Sequence, residues 1–177
     1  MCMLHRHKVA LALAIFVLWL GLTSLALFKF GNENYGVFAF DTNWQNPALA
    51  KFNLTSLGIA ESAGIQVVHV KQDNCICNNR AQLHQDQFSQ QYNIDETAQF
   101  SRSIQQVADV GFNLPAAPAV LIFDSGVLLY AGPYATGPMC SISDSLIAPI
   151  LLQQIKLPGP WLNAEAKSCR CLVKKPV

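Results

Sequence analysis

The chain has 177 residues, of which 51% are hydrophobic and only 13% are charged, whereas an average soluble domain carries roughly 25% charged residues. This length fits one domain of ordinary size with an appendage rather than two full domains. A formal net charge of +1 excludes the strongly basic class of nucleic-acid-binding domains. The high apolar content excludes a largely disordered chain.

An uncharged apolar run of twenty residues, Val9–Phe28, lies near the N-terminus. As a helix that rises about 1.5 Å per residue it would span about 30 Å, the thickness of the hydrocarbon core of a bilayer. Two basic residues precede the run and one follows it. The positive-inside rule therefore places residues 1–8 in the cytoplasm, makes 9–28 a signal anchor, and exports the rest of the chain.

The competing interpretation is a cleaved signal peptide, with Ser24-Leu25-Ala26 as a small-x-small cleavage site. A buried core helix is disfavoured because no face of the run is polar. In both remaining interpretations residues 31–177 are exported, to a compartment that permits disulfides. These residues hold nine Lys and Arg against eleven Asp and Glu, a net charge of −2, so we expect neither nucleic acid nor anionic lipid as a partner.

The exported part shows alternating strand and helix patterns. The clearest are the β-branched run Ile65–Val70, a helix at about 78–92, and a hairpin formed by Ala119–Phe123 and Val127–Ala131. Weaker patterns predict strands at 37–40 and near 97–100, and helices at 47–63, 101–110 and 143–156. The order predicts an α/β domain with a mixed sheet, which begins with a parallel βαβ unit and ends with an antiparallel hairpin covered by a helix.

Five of the six cysteines lie in the exported part, grouped as Cys75 and Cys77, Cys140, and Cys169 and Cys171. Cys2 precedes the apolar run, on the reducing side of the membrane. Cys75 and Cys77 follow a predicted strand and precede a predicted helix. Free amide N–H groups and the positive end of the helix dipole stabilise a thiolate at such a position. A thiolate is the nucleophile of thiol–disulfide exchange, so this pair is a candidate redox site.

This arrangement resembles the thioredoxin-like superfamily, which places a redox pair at a strand-to-helix junction. Ala117-Pro118, followed by a strand, the turn 124–126 and a second strand, looks like the family's cis-proline region, and the likeness covers about residues 35–157. The Cys-x-Cys-Asn-x-Arg stretch at 75–80, with a C-terminal Cys-x-Cys, is similar to an uncharacterised group of membrane-anchored bacterial proteins on this fold. The single residue between the paired cysteines, where the family has two, departs from the pattern.

The resemblance implies a thioredoxin-like mixed sheet flanked by helices over residues 31–157, with a tail at 158–177 packed on it. It implies a thiol–disulfide oxidoreductase that faces the periplasm from the inner membrane. Cys75 would attack, Cys77 would resolve the mixed disulfide, and Pro118 would help to hold an extended substrate. The partner would be a protein thiol or disulfide, and no cofactor would be required.

Two other interpretations stay open. The exported cysteines can be purely structural, in which case Cys140 is a natural partner for Cys169 or Cys171 and staples the tail to the body. Alternatively, the two Cys-x-Cys pairs bind zinc or Cu(I), which favour sulfur ligands, with histidines as additional candidates. The alternative ligand set comprises Cys75, Cys77, Cys169 and Cys171. His69 and His84 are further candidates, although the place of His69 within a predicted strand favours a packed or hydrogen-bonded histidine. An odd number of exported cysteines leaves at least one that is free, paired between chains or bound to metal.

Overall fold

The computed structural model describes residues 2–39 and 52–173. The chain divides into two compact units, Met1–Glu33 and Asn34–Val177. Helix α1, Cys2–Asn34, contains a stretch, His7–Gly31, that is long and apolar enough to cross a membrane. None of this stretch is buried against protein. By length and composition the helix is compatible with a single-pass membrane anchor, and a signal sequence has the same features.

A five-stranded mixed sheet forms the centre of the second unit, with the order β3-β2-β5-β6-β7. Its strands are β2 (Ile65–Lys71), β3 (Gln99–Ser103), β5 (Ala119–Asp124), β6 (Val127–Gly132) and β7 (Trp161–Leu162). Strand β2 runs parallel to β3 and antiparallel to β5. Strand β5 is antiparallel to β6, which runs parallel to β7. The predicted mixed α/β sheet is confirmed.

Two small antiparallel sheets join distant parts of the chain. Strand β1 (Tyr35–Val37) pairs with β8 (Lys167–Cys169), and β4 (Ala116–Ala117) pairs with β9 (Cys171–Leu172). The first predicted strand therefore pairs with the C-terminal tail and not with the main sheet. The parallel βαβ unit consists of β2, helix α2 (Cys77–Gln90) and β3.

Apolar burial explains the central strands. The side chains of Ala119–Phe123 are fully buried, which is expected of a strand covered on both faces. Beside this strand Phe52 stacks on Phe112 with ring centroids 4.1 Å apart. At the edge of the sheet, Ser103 and Gln106 form a capping box that starts helix α3, Ile104–Asp109. The helix predicted from Ser101 begins later because Gln99–Ser103 extends as β3.

Two predicted helices differ in the structure. Only Ala148–Leu151 (α4) is α-helical within the predicted 143–156 segment. Pro149 lacks an N–H and fits only the first turn of a helix, so a helix that began at 143 would place it in the interior. Of the predicted helix 47–63, residues 52–63 form only a short 3₁₀ turn, Thr55–Leu57. The remainder of that helix, and the last residue of the predicted strand 37–40, lie outside the described residues.

His69 is a buried residue of central strand β2. Its Nε2 lies 3.2 Å from Gln99 Oε1, and its Nδ1 lies 2.8 Å from Tyr134 Oη. Because an amide oxygen only accepts, Nε2 carries the proton and the Tyr134 hydroxyl donates to Nδ1. Burial lowers the pKa of His69 to about 4, and this effect outweighs the hydrogen bond to Gln99. His69 is therefore neutral in the folded chain at pH 7.

This burial predicts an acid-sensitive fold. Because the pKa of His69 is lowered from 6.5 to about 4, the unfolded chain binds a proton that the folded chain does not bind between these values. The neutral His69 ring therefore makes its full contribution to the free energy of unfolding above pH 6.5. This contribution is lost as the pH falls toward 4. We expect the free energy of unfolding to fall by about 2 kcal/mol between pH 7 and pH 5, measured by urea denaturation.

The matched control for this prediction is His69→Gln, which keeps hydrogen-bonding capacity and removes the titrating ring. All other titrating groups are common to both chains. The variant should therefore lose less stability than the natural chain over the same interval. Equal pH dependence in the two chains would contradict the assignment.

Candidate functional site: a cluster of paired cysteines

The two Cys-x-Cys pairs are cross-linked to each other. Cys75 is bonded to Cys171 and Cys77 to Cys169, with Cα–Cα distances of 5.8 Å and 5.7 Å. Neither pair closes on itself, so the candidate redox cysteines Cys75 and Cys77 are not bonded to one another. We call Cys75–Cys171 the outer disulfide and Cys77–Cys169 the inner disulfide.

The turn between β2 and α2 positions Cys75 and Cys77. Asn74 takes the left-handed conformation, φ 58°, which asparagine tolerates better than most residues. The Cys75 N–H donates to Gln72 O at 3.3 Å, and the Asn78 side-chain amide donates to the same oxygen at 2.7 Å. These bonds hold the turn closed, so both sulfurs are presented from one short, fixed segment.

The segment before β5 borders the site opposite the tail strand β9. Strand β4 pairs with β9 so that Ala117 lies opposite Cys171. The Ala117–Pro118 peptide bond is cis. Cys75 Sγ lies 3.6 Å from Ala117 O. The sequence-predicted residues Cys75, Cys77 and the segment containing Pro118 thus meet in one place, together with the tail.

Asn34, the last residue of α1, also contacts the cysteine cluster. Its side-chain Nδ2 donates to Cys171 Sγ at 3.6 Å, and its carbonyl oxygen accepts from Arg170 N–H at 2.8 Å. The same carbonyl oxygen lies 3.6 Å from Cys77 Sγ. Asn34 was not predicted as a site residue, because an asparagine in a short polar stretch carries no motif.

The tail residue between the two cysteines is a buried arginine. Arg170 is buried, and this burial lowers the pKa of its guanidinium. A Cβ added to Gly36, where φ is +154°, would lie 2.6 Å from Arg170 Nη2, so β1 needs glycine at this position. Arg170 therefore packs the tail against β1, and the spacing alone did not predict this role.

The four bonded cysteines differ in their solvent exposure. Cys77 is 0% exposed, Cys169 is 2% exposed and Cys75 is 7% exposed, whereas Cys171 is only partly buried. The sulfur atoms of Cys75, Cys77 and Cys171 all lie within 4.8 Å of one another. The outer disulfide is therefore more exposed than the inner one, and Cys77 Sγ of the inner disulfide lies within 4.8 Å of both outer sulfurs.

The histidines do not join this cluster. His84 Nε2 donates to Cys140 O at 2.9 Å, and both ring nitrogens of His69 are hydrogen-bonded within the core. Within residues 2–39 and 52–173, the group able to share one metal ion comprises the three cysteines Cys75, Cys77 and Cys171. The expectation that His69 is a packed, hydrogen-bonded histidine is confirmed, and neither His69 nor His84 belongs to this group.

Cys140 is a buried free thiol and does not form the disulfide that the sequence led us to consider. Both tail cysteines are already bonded to Cys75 and Cys77, and Cys140 instead lies beside His84. Burial raises the pKa of Cys140 to about 11, although the nearby Arg80 acts in the opposite direction. At neutral pH this residue is therefore an inert, protonated thiol.

This environment predicts the reactivity of Cys140 toward alkylating reagents. In the folded chain at pH 7.5 iodoacetamide should leave Cys140 unmodified, since the thiolate is the reactive form. In urea the same residue should react fully. Peptide mass mapping measures the modification at this site, and equal labelling rates in the folded and unfolded chains would contradict the assignment.

Comparisons with known proteins give a family for most of this unit. Neither a search of curated proteins nor a search of solved structures found a match. A family model described as a domain of unknown function (DUF6436) matches residues 43–173, a range that includes all four bonded cysteines and Cys140. The chain therefore belongs to the DUF6436 family, whose function is not assigned.

Proposed function

We propose that this chain is a membrane-anchored thiol–disulfide oxidoreductase, held in a bacterial inner membrane by residues 9–28 with its second unit in the periplasm. One observation carries the proposal: the three sulfurs of Cys75, Cys77 and Cys171 lie within 4.8 Å of one another across two disulfides. Exchange requires a thiolate to attack a disulfide sulfur. At this separation, sulfurs can exchange partners with small movements of the chain.

The two disulfides join the same two short segments, and this arrangement favours thiol–disulfide exchange over a purely structural role. The disulfides close segments with sequence separations of 96 and 92 residues. In the chain-entropy account the first such cross-link contributes about 4.7 kcal/mol. The second then closes only a ring of a few residues, and contributes about 2 kcal/mol. One disulfide would fix the tail nearly as well as two, so stability alone gives little reason for the second.

The thioredoxin-like assignment is part of the same proposal. It is supported by the parallel β2-α2-β3 unit, by the β5–β6 hairpin and by the position of Cys75 between β2 and α2. In this assignment Pro118 helps to hold an extended partner segment. In the doubly oxidised chain the tail strand β9 occupies the edge of β4 beside this residue, so a partner segment competes with the tail.

The outer disulfide is the proposed entry point. A partner thiolate attacks the sulfur of Cys171, the S–S bond to Cys75 breaks, and Cys75 leaves as a thiolate. The partner's second thiolate then attacks the partner sulfur of the mixed disulfide and releases Cys171. The partner dithiol becomes a disulfide and the outer disulfide gains two electrons. The Asn34 amide, which faces the Cys171 sulfur, stabilises the thiolate released there.

In the opposite direction the reduced chain attacks the partner, through Cys75. A reduced Cys75 thiolate attacks a partner disulfide and expels one partner sulfur. A second cysteine of the cluster, Cys77 or Cys171, then attacks Cys75 Sγ and releases the partner as a dithiol. Both directions need Cys75, and neither needs Cys140.

The direct test is the reduction of a protein disulfide by the full chain in detergent micelles, supplied with dithiothreitol. We expect Cys75→Ser to lower the catalysed rate at least 100-fold, because the attacking sulfur is lost. The matched control Cys140→Ser removes a buried thiol outside the cluster and should keep the natural rate. Equal rates for Cys75→Ser and the natural chain would contradict the proposal.

A soft-metal site is the second candidate function, favoured by the convergence of the same three sulfurs. Thiolates bound to one tetrahedral ion at about 2.3 Å lie about 3.8 Å apart, which is compatible with the separation seen here. After reduction of both disulfides, Cys75, Cys77 and Cys171 would hold zinc or Cu(I), with Cys169 as the nearest further sulfur. Such an ion would link the tail to the turn between β2 and α2 in place of the disulfides.

Metal analysis tests this second candidate. The full chain is reduced under anaerobic conditions, incubated with Zn²⁺ or Cu(I), desalted and analysed for metal. One ion per chain, lost in Cys77→Ser and retained in Cys140→Ser, is the result expected of a metal site. Substoichiometric metal in the reduced natural chain would contradict it.

A further inference from the structure

We infer that the inner disulfide is a second redox centre, and that electrons entering at the outer disulfide reach it through the sulfur of Cys77. This inference rests on the proposed exchange at the outer disulfide and extends it. It assigns a chemical role to Cys77 and Cys169, which would otherwise form a static cross-link.

Burial requires an internal route to the inner disulfide. Cys77 and Cys169 are 0% and 2% exposed, so a partner thiolate cannot approach either sulfur in the folded chain. The sulfurs of Cys75 and Cys171, by contrast, both lie within 4.8 Å of Cys77 Sγ. The nucleophile that can reach the inner disulfide is therefore a thiolate of the reduced outer pair.

Cys75 is the better placed of the two possible attackers. Cys75 and Cys77 belong to one turn, which the hydrogen bonds to Gln72 O hold closed. Their sulfurs therefore stay close after the outer disulfide opens. Cys171 lies on the tail, which loses one covalent link at that moment, and the Asn34 amide binds its sulfur.

The step conserves atoms and electrons. The Cys75 thiolate attacks Cys77 Sγ, the Cys77–Cys169 bond breaks, and Cys169 leaves as a thiolate that takes up a proton. The chain then contains a Cys75–Cys77 disulfide and two free tail thiols, with no net change in oxidation state. A second partner dithiol can then reduce Cys75–Cys77, so the chain accepts four electrons in two steps.

The intermediate has a distinct structural property. Because the new Cys75–Cys77 disulfide lies within the turn between β2 and α2, no disulfide joins the tail to this turn. The tail is then held by the β1–β8 and β4–β9 pairings and by the packing of Arg170. Electron transfer to the inner disulfide therefore removes the covalent links of the tail and leaves it held by noncovalent contacts.

Two matched double variants of the full chain test this transfer. Cys75→Ser/Cys171→Ser leaves only the inner disulfide, and Cys77→Ser/Cys169→Ser leaves only the outer one. Each keeps one long cross-link, and thermal unfolding compares their stability. The variants and the natural chain are incubated with dithiothreitol, quenched with acid at intervals, alkylated and mapped by mass spectrometry.

We expect the outer-only variant to be reduced at the rate of the natural outer disulfide. The inner disulfide should be reduced at least 100-fold more slowly in the inner-only variant than in the natural chain. In the partly reduced natural chain, whose fold is unaltered by substitution, peptides joined by Cys75–Cys77 should be detected.

The inference is overturned if the inner disulfide is reduced equally fast with and without Cys75 and Cys171. It is also overturned if the natural chain accumulates a reduced outer pair beside an intact Cys77–Cys169 disulfide. An unreactive disulfide in the outer-only variant would instead overturn the proposed exchange itself, and the transfer with it. The failures of the two proposals are therefore distinguishable.

Discussion

Two disulfides tie the C-terminal tail of the second unit to the turn between β2 and α2. This tie places β9 against β4 and β8 against β1. It also brings Asn34 into contact with two of the bonded sulfurs. Segments that are far apart in the chain, near residues 34, 75, 117 and 170, meet at this point through the two disulfides, the strand pairings of the tail and the hydrogen bonds of Asn34.

The main sheet provides the rigidity that the cluster needs. Strands β2 and β5 are covered on both faces, and β2 ends directly at the turn that carries Cys75 and Cys77. The burial that stabilises this sheet also removes two possible reactive groups from the chemistry. His69 is kept neutral within the core, and Cys140 is kept protonated. Among the cysteines of the second unit, the proposed exchange therefore involves the four bonded sulfurs, and Cys171 is the most exposed of these residues.

Local patterns predicted the parts of the fold that local interactions determine. The runs 65–70 and 119–123 are buried and bounded by turn residues, and α2 was predicted within two residues at each end. The tail strands were not predicted, because β8 pairs with β1 about 130 residues away and β9 contains only two residues. The disulfide connectivity could not be derived, since the sequence does not show which of the five exported cysteines stays unbonded, and any four of them allow three pairings. The spacing grouped the bonded cysteines as two close pairs, and the fold decided which sulfurs bond.

In the proposed function the paired cysteines form an exchange site and not two static cross-links. Its most direct test is a redox titration of the full chain in glutathione buffers, with acid quenching, alkylation and counting of modified cysteines by mass. We expect Cys75, Cys77, Cys169 and Cys171 to change from disulfide to thiol while the chain stays folded and Cys140 remains unmodified. Two disulfides that persist in the most reducing buffer until the chain unfolds would rule out an exchange site.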